Sequence, residues 1–234
     1  MRMDLTTIKR LLDLLVPRHC ACCGQRLSGN VVTLCSNCNR SLPRTYYLQT
    51  PLDNEMARHF WGKFPILRAA SLFFYMPGSD TAALVKDMKY HNQPSLAQDM
   101  GYFLAEESLP TGFFEGVDLL VPVPLTKRRE RQRGYNQSYE LAVGIRRATG
   151  ISIGRKVLRR VHFAESQTEK SGVQRTENVE NAFVLDRPEE VRGRHILLVD
   201  DIVTTGATIA ACGRELAKAG DVTVSVLSLC FTKV

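Results

Sequence analysis

The chain has 234 residues, 44% hydrophobic and 24% charged, a balance that fits a globular protein with one sizeable core and a small appended module. No apolar run approaches the roughly 18 residues of a membrane span, and the apolar stretch at residues 11–16 is interrupted by Asp13. Neither a signal peptide nor an anchor is therefore expected, and the expected location is cytoplasmic. A net charge of +7 and a pI near 9.1 point to phosphate-rich partners, nucleic acid among them.

Residues 5–16 carry apolar positions at helical spacing, which predicts a short amphipathic helix packed on its neighbours rather than on a membrane. Five of the seven cysteines then fall between positions 20 and 38. Cys20-x-x-Cys23 and Cys35-x-x-Cys38 form two knuckles separated by eleven residues, the spacing that brings four thiolates to one zinc ion. Cys22 and His19 lie within reach of the same ion. Two disulfides are the competing reading, disfavoured by the odd cysteine count and the absence of a secretory signal. Such a ribbon is structural, since four ligands leave no open position for chemistry. Cys212 and Cys230 sit in apolar helix and strand patterns and read as buried thiols.

Residues 43–65 read as an irregular connector in which Tyr46, Tyr47, Phe60, Trp61 and Phe64 stand beside Arg44, Arg58 and Lys63. Packing against a neighbouring domain explains that mixture better than base stacking. The expected organisation is a helix and zinc ribbon over 1–45, a connector over 46–66 and a catalytic-type domain over 67–234.

From residue 69 strands and helices alternate. Strands are expected at 69–75, 117–123, 182–185, 196–199 and 222–229, and helices at 81–90, 95–108 and 137–148. This pattern predicts an α/β fold with a mostly parallel sheet flanked by helices and ligands at the carboxyl ends of its strands. The strand at 117–123 is expected to be central, so that Lys127, Arg128, Arg129, Arg131 and Arg133 after it would face the same mouth as the site below. Their guanidinium forks suit pyrophosphate or a nucleic-acid backbone, while a solvated charged helix is the bland alternative. Residues 161–178 are polar and aperiodic, as a closing flap would be.

The segment HILLVDDIVTTGAT, residues 195–208, carries the most chemistry. An unalternated apolar run suits a strand buried on both faces, Asp200 and Asp201 fall at its end, and a helix opens after Gly206 and can end at Gly220. The turn through Thr204, Thr205, Gly206, Ala207 and Thr208 offers hydroxyls and unpaired N–H groups to a phosphate. The two carboxylates are suited to accepting hydrogen bonds from ribose hydroxyls. Because neighbouring strand residues point apart, one of them need not touch the ligand. A plain strand-end turn and helix cap is the competing reading.

This segment resembles the 5-phosphoribosyl-1-pyrophosphate (PRPP) motif of type I phosphoribosyltransferases. The resemblance implies that Asp200 and Asp201 contact ribose and that Thr204 to Thr208 wrap the 5-phosphate. The cysteine-rich N-terminus, the run from Val121 to Ser138, and the run with Gln167, Thr168, Arg175, Asn178 and Phe183 narrow the resemblance to the ComF family, also called competence protein F or GntX-like. That resemblance implies a site position for Arg133 to Gln137 and for Lys89 and Tyr90. Arg133, Arg175 and Lys89 are the candidate catalytic residues, Arg175 as a charge delivered by flap closure. Mg2+ is the expected companion of PRPP, bridging pyrophosphate and ribose oxygens.

No motif names an acceptor nucleophile, so a phosphoribosyltransferase and a non-catalytic PRPP-sensing adaptor that binds single-stranded DNA remain in parallel, with nucleobase or amine salvage as a further transferase reading. The family association points to DNA uptake and to partners in that process. Lys127, Arg128, Arg129 and Arg131 are the candidate DNA contacts. The absence of a G-x-x-x-x-G-K-[ST] or G-x-G-x-x-G run disfavours a Walker ATPase and a dinucleotide enzyme. A glutamine amidotransferase is also disfavoured, because the chain opens Met-Arg-Met-Asp ahead of the ribbon.

Overall fold

The computed structural model describes residues 18–27, 33–90, 93–161 and 182–233. The helix expected at 5–16 and the segment bearing Gln167, Thr168, Arg175 and Asn178 lie outside the described residues.

Four parallel strands, β1 (Ile66–Phe74), β2 (Leu119–Pro122), β5 (His195–Val203) and β6 (Thr223–Phe231), form the central sheet in the order β1-β6-β5-β2. β5 and β6 are buried almost throughout, as strands rich in Val, Leu and Ile must be when helices cover both faces. On one face Leu84, Met88, Met100, Leu104, Leu141 and Ile145 form a core with Leu197 and Val199. They come from α3 (Asp80–Tyr90), α4 (Pro94–Ser108) and α6 (Gln137–Thr149). α4 and α6 touch backbone to backbone: a Cβ at Gly144 would lie 2.0 Å from the Gln98 carbonyl oxygen. The other face packs on Ile209, Cys212 and Leu216 of α7 (Ala207–Ala217) and on Met56 and Phe60 of the connector.

Two expectations are corrected. β2 is an edge strand of the four rather than a central one, its free edge met by a single parallel bridge from Ile153 to Leu120. The strand expected near 182–185 does not join the parallel sheet. As β4 (Phe183–Leu185) it pairs antiparallel with β3 (Leu158–Arg160), which periodicity did not reveal because three residues are too few to show a period. The connector holds a short helix, α2 (Glu55–Arg58), capped by Asn54 Oδ1, which accepts from the Ala57 N–H at 2.9 Å.

The cysteine knuckles meet at α1 (Ser36–Ser41). Leu27, Leu34, Leu42 and Leu48 from this region belong to the same core as α3 and α4. Thr33 Oγ1 donates to the Asp99 carbonyl at 3.2 Å, and Arg44 makes a bidentate pair with Glu107 at 2.9 and 3.2 Å. Among the described residues no helix is long and apolar enough to cross a membrane.

Candidate functional site

β5 continues four residues past the apolar run, because Asp200 and Ile202 keep their pairing with Ser228 and Cys230 of β6. The alternation of faces does not continue with it. Val199 packs with α3, α4 and α6, whereas Val203 packs with the α7 core, although residues four apart on a regular strand share a face. The break falls at Asp201 and Ile202, which both turn toward α3, and at the same rung of β6 Leu229 and Cys230 share that core while Phe231 lies in the other.

The two carboxylates therefore lean to different sides. Asp200, buried, accepts from Ser138 Oγ at 2.8 Å and from the Asp201 N–H at 2.9 Å, both at Oδ1. Burial, then the neighbouring Asp201 carboxylate, pushes the Asp200 carboxyl up to about 7, against the opposing pull of Ser138 and Lys89. Asp201 faces Lys89, whose Nζ lies 2.8 Å from Oδ2. This close ion pair holds the buried carboxylate against the last turn of α3.

Downstream, Thr204 and Thr205 are exposed and Gly206 is buried with φ +72°. Gly206 caps α7 without a side-chain hydrogen bond, so the first-turn amides point at the turn. The connector supports this turn from below. His59 Nε2 lies 2.9 Å from the Thr205 carbonyl oxygen, and a Cβ on Gly206 would stand 2.7 Å from Phe60 Cε1. Gly206→Ala should therefore cost about 2–4 kcal/mol, from the left-handed backbone plus overpacking. A urea titration showing a loss under about 0.5 kcal/mol would refute the tight fit.

The run after β2 is a seven-residue helix, α5 (Lys127–Arg133), capped by Thr126 Oγ1, which accepts from the Arg129 N–H at 3.2 Å, and ended by Gly134. Lys127, Arg128, Arg129 and Arg131 are exposed on it, at the carboxyl end of β2. Arg133 turns inward: its guanidinium donates to Gln137 Oε1 at 2.7 Å and sits 5.8 Å from the Tyr90 ring centroid. Tyr135 OH donates to the Met88 carbonyl, and Asn136 Oδ1 caps α6 by accepting from the Ser138 and Tyr139 N–H groups at 3.0 and 3.4 Å. The R-G-Y-N-Q segment thus fastens the ends of α3 and α6 together and delivers Ser138 to Asp200.

Ser138 and the Lys89–Asp201 pairing are what sequence reasoning missed, since both join residues far apart in the chain. Arg160 was missed as well. It is half-buried, with a Nε that has no hydrogen-bond partner among the described residues, and its guanidinium lies 5.2 Å from the Phe183 ring centroid. Burial and Arg129 lower its pKa, which Asp200 partly offsets.

At the N-terminus the sulfurs of Cys20, Cys23, Cys35 and Cys38 lie within 4.8 Å of one another, close enough to hold a metal ion. Cys23 and Cys35 Sγ are 3.7 Å apart, against about 3.8 Å for the edge of a tetrahedron with roughly 2.3 Å zinc–sulfur bonds. Burial raises the Cys20 thiol, but backbone N–H groups of Cys23, Cys35 and Cys22 outweigh it and bring it down to about 6. Cys22 is instead pushed up to about 12 by burial and by Cys20, and stands outside the cluster.

Residues 132–232 match the Phosphoribosyl transferase domain. The chain is 32% identical over 221 residues to the DNA utilization protein YhgH of Salmonella typhi, covering 91% of this chain and 90% of that one. It is 26% identical to Competence protein F of Haemophilus influenzae over 93% of each. A solved allosteric regulatory enzyme of purine biosynthesis is 22% identical, covering 62% of this chain and 30% of that one at a TM-score of 0.43, too loose a likeness to bear on function.

Proposed function

The chain belongs to the ComF family of DNA utilization protein YhgH and competence protein F, and from that membership and the site geometry we propose that it binds PRPP in a process linked to DNA uptake. The observation that carries this reading is the buried carboxylate pair at the end of β5, held by Ser138 and Lys89 directly ahead of the N-terminus of α7, whose cap residue Gly206 has no side chain to offer the first-turn amides. Asp201 Oδ2 and the outer oxygen of Asp200 accept from ribose hydroxyls, and the amides and hydroxyls of Thr204 to Thr208 take the 5-phosphate. Lys89 holds Asp201 in place and offsets its charge, and Ser138 holds Asp200 in place by donating a hydrogen bond to it.

The donor set fits Mg2+ carried in with the ligand, since a hard cation keeps most of its waters and needs few protein oxygens. When bound it neutralises pyrophosphate charge. The exposed cations of α5 stand at the neighbouring strand end, where Lys127 and Arg128 suit the pyrophosphate side. Cys20, Cys23, Cys35 and Cys38 suit structural zinc, and a cytoplasmic location belongs to the same reading.

Titration calorimetry with PRPP and Mg2+ tests this directly. The Asp200→Asn/Asp201→Asn double variant should lose at least about 100-fold in affinity, the order expected when two buried acceptors of ligand hydroxyls are changed. Unchanged affinity would sink the assignment. Phosphorus NMR then decides between the two functional classes: pyrophosphate release that depends on an acceptor marks a transferase, and binding without release marks a sensing adaptor.

The adaptor reading has one observation of its own, the four exposed cations Lys127, Arg128, Arg129 and Arg131 on a single short helix of a chain with net charge +7. Single-stranded DNA bound there should weaken steeply with salt. Arg128→Ala/Arg131→Ala should flatten that salt dependence by about two phosphate contacts while leaving the fold unchanged. A slope equal to that of the unaltered protein would place DNA elsewhere.

A further inference from the structure

A separate cleft lies beside the partner of each carboxylate, one next to the start of α6 that carries Ser138 and one at Lys89. On the Ser138 side a cleft of about 410 Å³ lies between the end of β2, α5 and the antiparallel β3–β4 pair. On the Asp201 side a second cleft of about 530 Å³ opens between the turn after β1, α3 and Ile202 of β5, and the two share no residue. The first is lined by six cations together with the acidic Glu130 and Asp186. Arg159 pairs with Asp186 at 2.7 Å, Arg187 with Glu190 at 2.7 Å, and Arg155 covers the Tyr139 ring at 4.5 Å.

The second differs in kind. None of its described lining residues is acidic, and of its three cations Lys86 is exposed, Arg133 stands over Tyr90 and Lys89 is paired with Asp201. Its floor is ring-like and apolar, from Tyr75, Tyr90 and Ile202, the one half-buried apolar residue near the end of an otherwise buried strand. Tyr90 is 66% exposed and keeps an open face beside Arg133. Aromatic faces with cations at the rim select a flat ring that bears negative charge. The volume is that of a small-molecule site, and Lys89 links this cleft to Asp201.

We propose that this cleft binds a planar, negatively charged ring compound, held beside the ribose carboxylates on the side away from α5. Its place as the acceptor pocket rests on the PRPP reading, whereas binding of the ring needs only the cleft. A nucleic-acid strand would carry the same chemistry, but the cleft commits to a free small molecule because it is one compact volume of about 530 Å³ instead of a charged run along a surface.

The test is calorimetry of the metal-loaded full chain with benzoate, pyridine-3-carboxylate and naphthalene-2-carboxylate, each against its uncharged amide, and with a ten-residue oligothymidylate. At least one acid should bind about tenfold or more tightly than its amide. Lys86→Glu, at an exposed position, should remove that preference and leave the amide unaffected. Tyr90→Ala should weaken acid and amide alike by about five- to hundredfold, the loss of one stacking face. Acids bound no better than amides, no binding of any acid, or capture of the oligonucleotide alone would each overturn the proposal. PRPP titrated separately keeps the two readings apart: probe binding without PRPP binding fails only the ribose assignment, and PRPP binding without probe binding fails only the cleft.

Discussion

Asp200→Asn should make the protein more stable than the unaltered chain at pH 8 and no more stable at pH 4, while weakening PRPP binding at both. The carboxyl is fully buried, and burial and Asp201 raise it in the folded state to about 7, from 3.8 as its ordinary value. A raised folded value means that this group's contribution to stability is complete below about pH 4 and is lost as pH rises toward and through 7. A tenfold change in proton affinity corresponds to about 1.4 kcal/mol, so the loss is on the order of 4 kcal/mol once the group has ionised. Asparagine keeps an oxygen that accepts from Ser138 and from the Asp201 N–H but carries no charge to desolvate.

Urea midpoints for both proteins at pH 4 and pH 8 measure the difference. Parallel stability curves would show that the Asp200 carboxyl titrates in the folded protein as it does in the unfolded chain, and would remove the strain from the site. The expected cost in affinity and gain in stability have one source. On the proposed reading a ligand hydroxyl offsets the burial of this carboxylate, a pattern of functional sites rather than of cores.

The core of this site is legible in the chain because its signals are local. A four-residue apolar run, two acids and a small-residue turn opening a helix all lie within residues 195–208, and the structure builds β5, the turn and α7 from them. The parallel sheet is legible for the same reason, since strands and helices long enough to show a period alternate. What was not legible depends on distance or on shortness. The break in alternation at Asp201 is imposed by the paired rung of β6, and Lys89 and Ser138 reach the carboxylates from helices more than fifty residues upstream. α5 is seven residues of almost uniform charge, whose helix follows from the Thr126 cap and the Gly134 stop rather than from any apolar stripe. Strand order, which puts β2 at the outside, is set by which faces must be covered and leaves no mark on a single strand's sequence.

Removing the metal should cost more than the ribbon itself. With four thiolates around zinc the binding free energy is about 10–16 kcal/mol at neutral pH, most of it taken up in folding the knuckles. Here the knuckles do not stand apart: Leu27, Leu34, Leu42 and Leu48 lie in one core with α3 and α4. Cys22 packs against the same core, which also holds Leu84 and Met88 of α3 and Cys230 of β6. Losing that packing frees the helix whose last turn holds Lys89 against Asp201. A strong chelator should therefore lower the melting temperature of the whole chain by at least about 10 °C and weaken PRPP binding as well, the scale expected for a few kcal/mol lost from a domain of this size. Cys35→Ser should reproduce both effects. Cys22→Ser should retain one zinc per chain, released to a chromogenic indicator on denaturation, because that thiol stands outside the cluster. A metal-free protein that melts unchanged would show that the ribbon hangs on the domain without supporting it, and the path from the thiols to Lys89 would then be broken at α3.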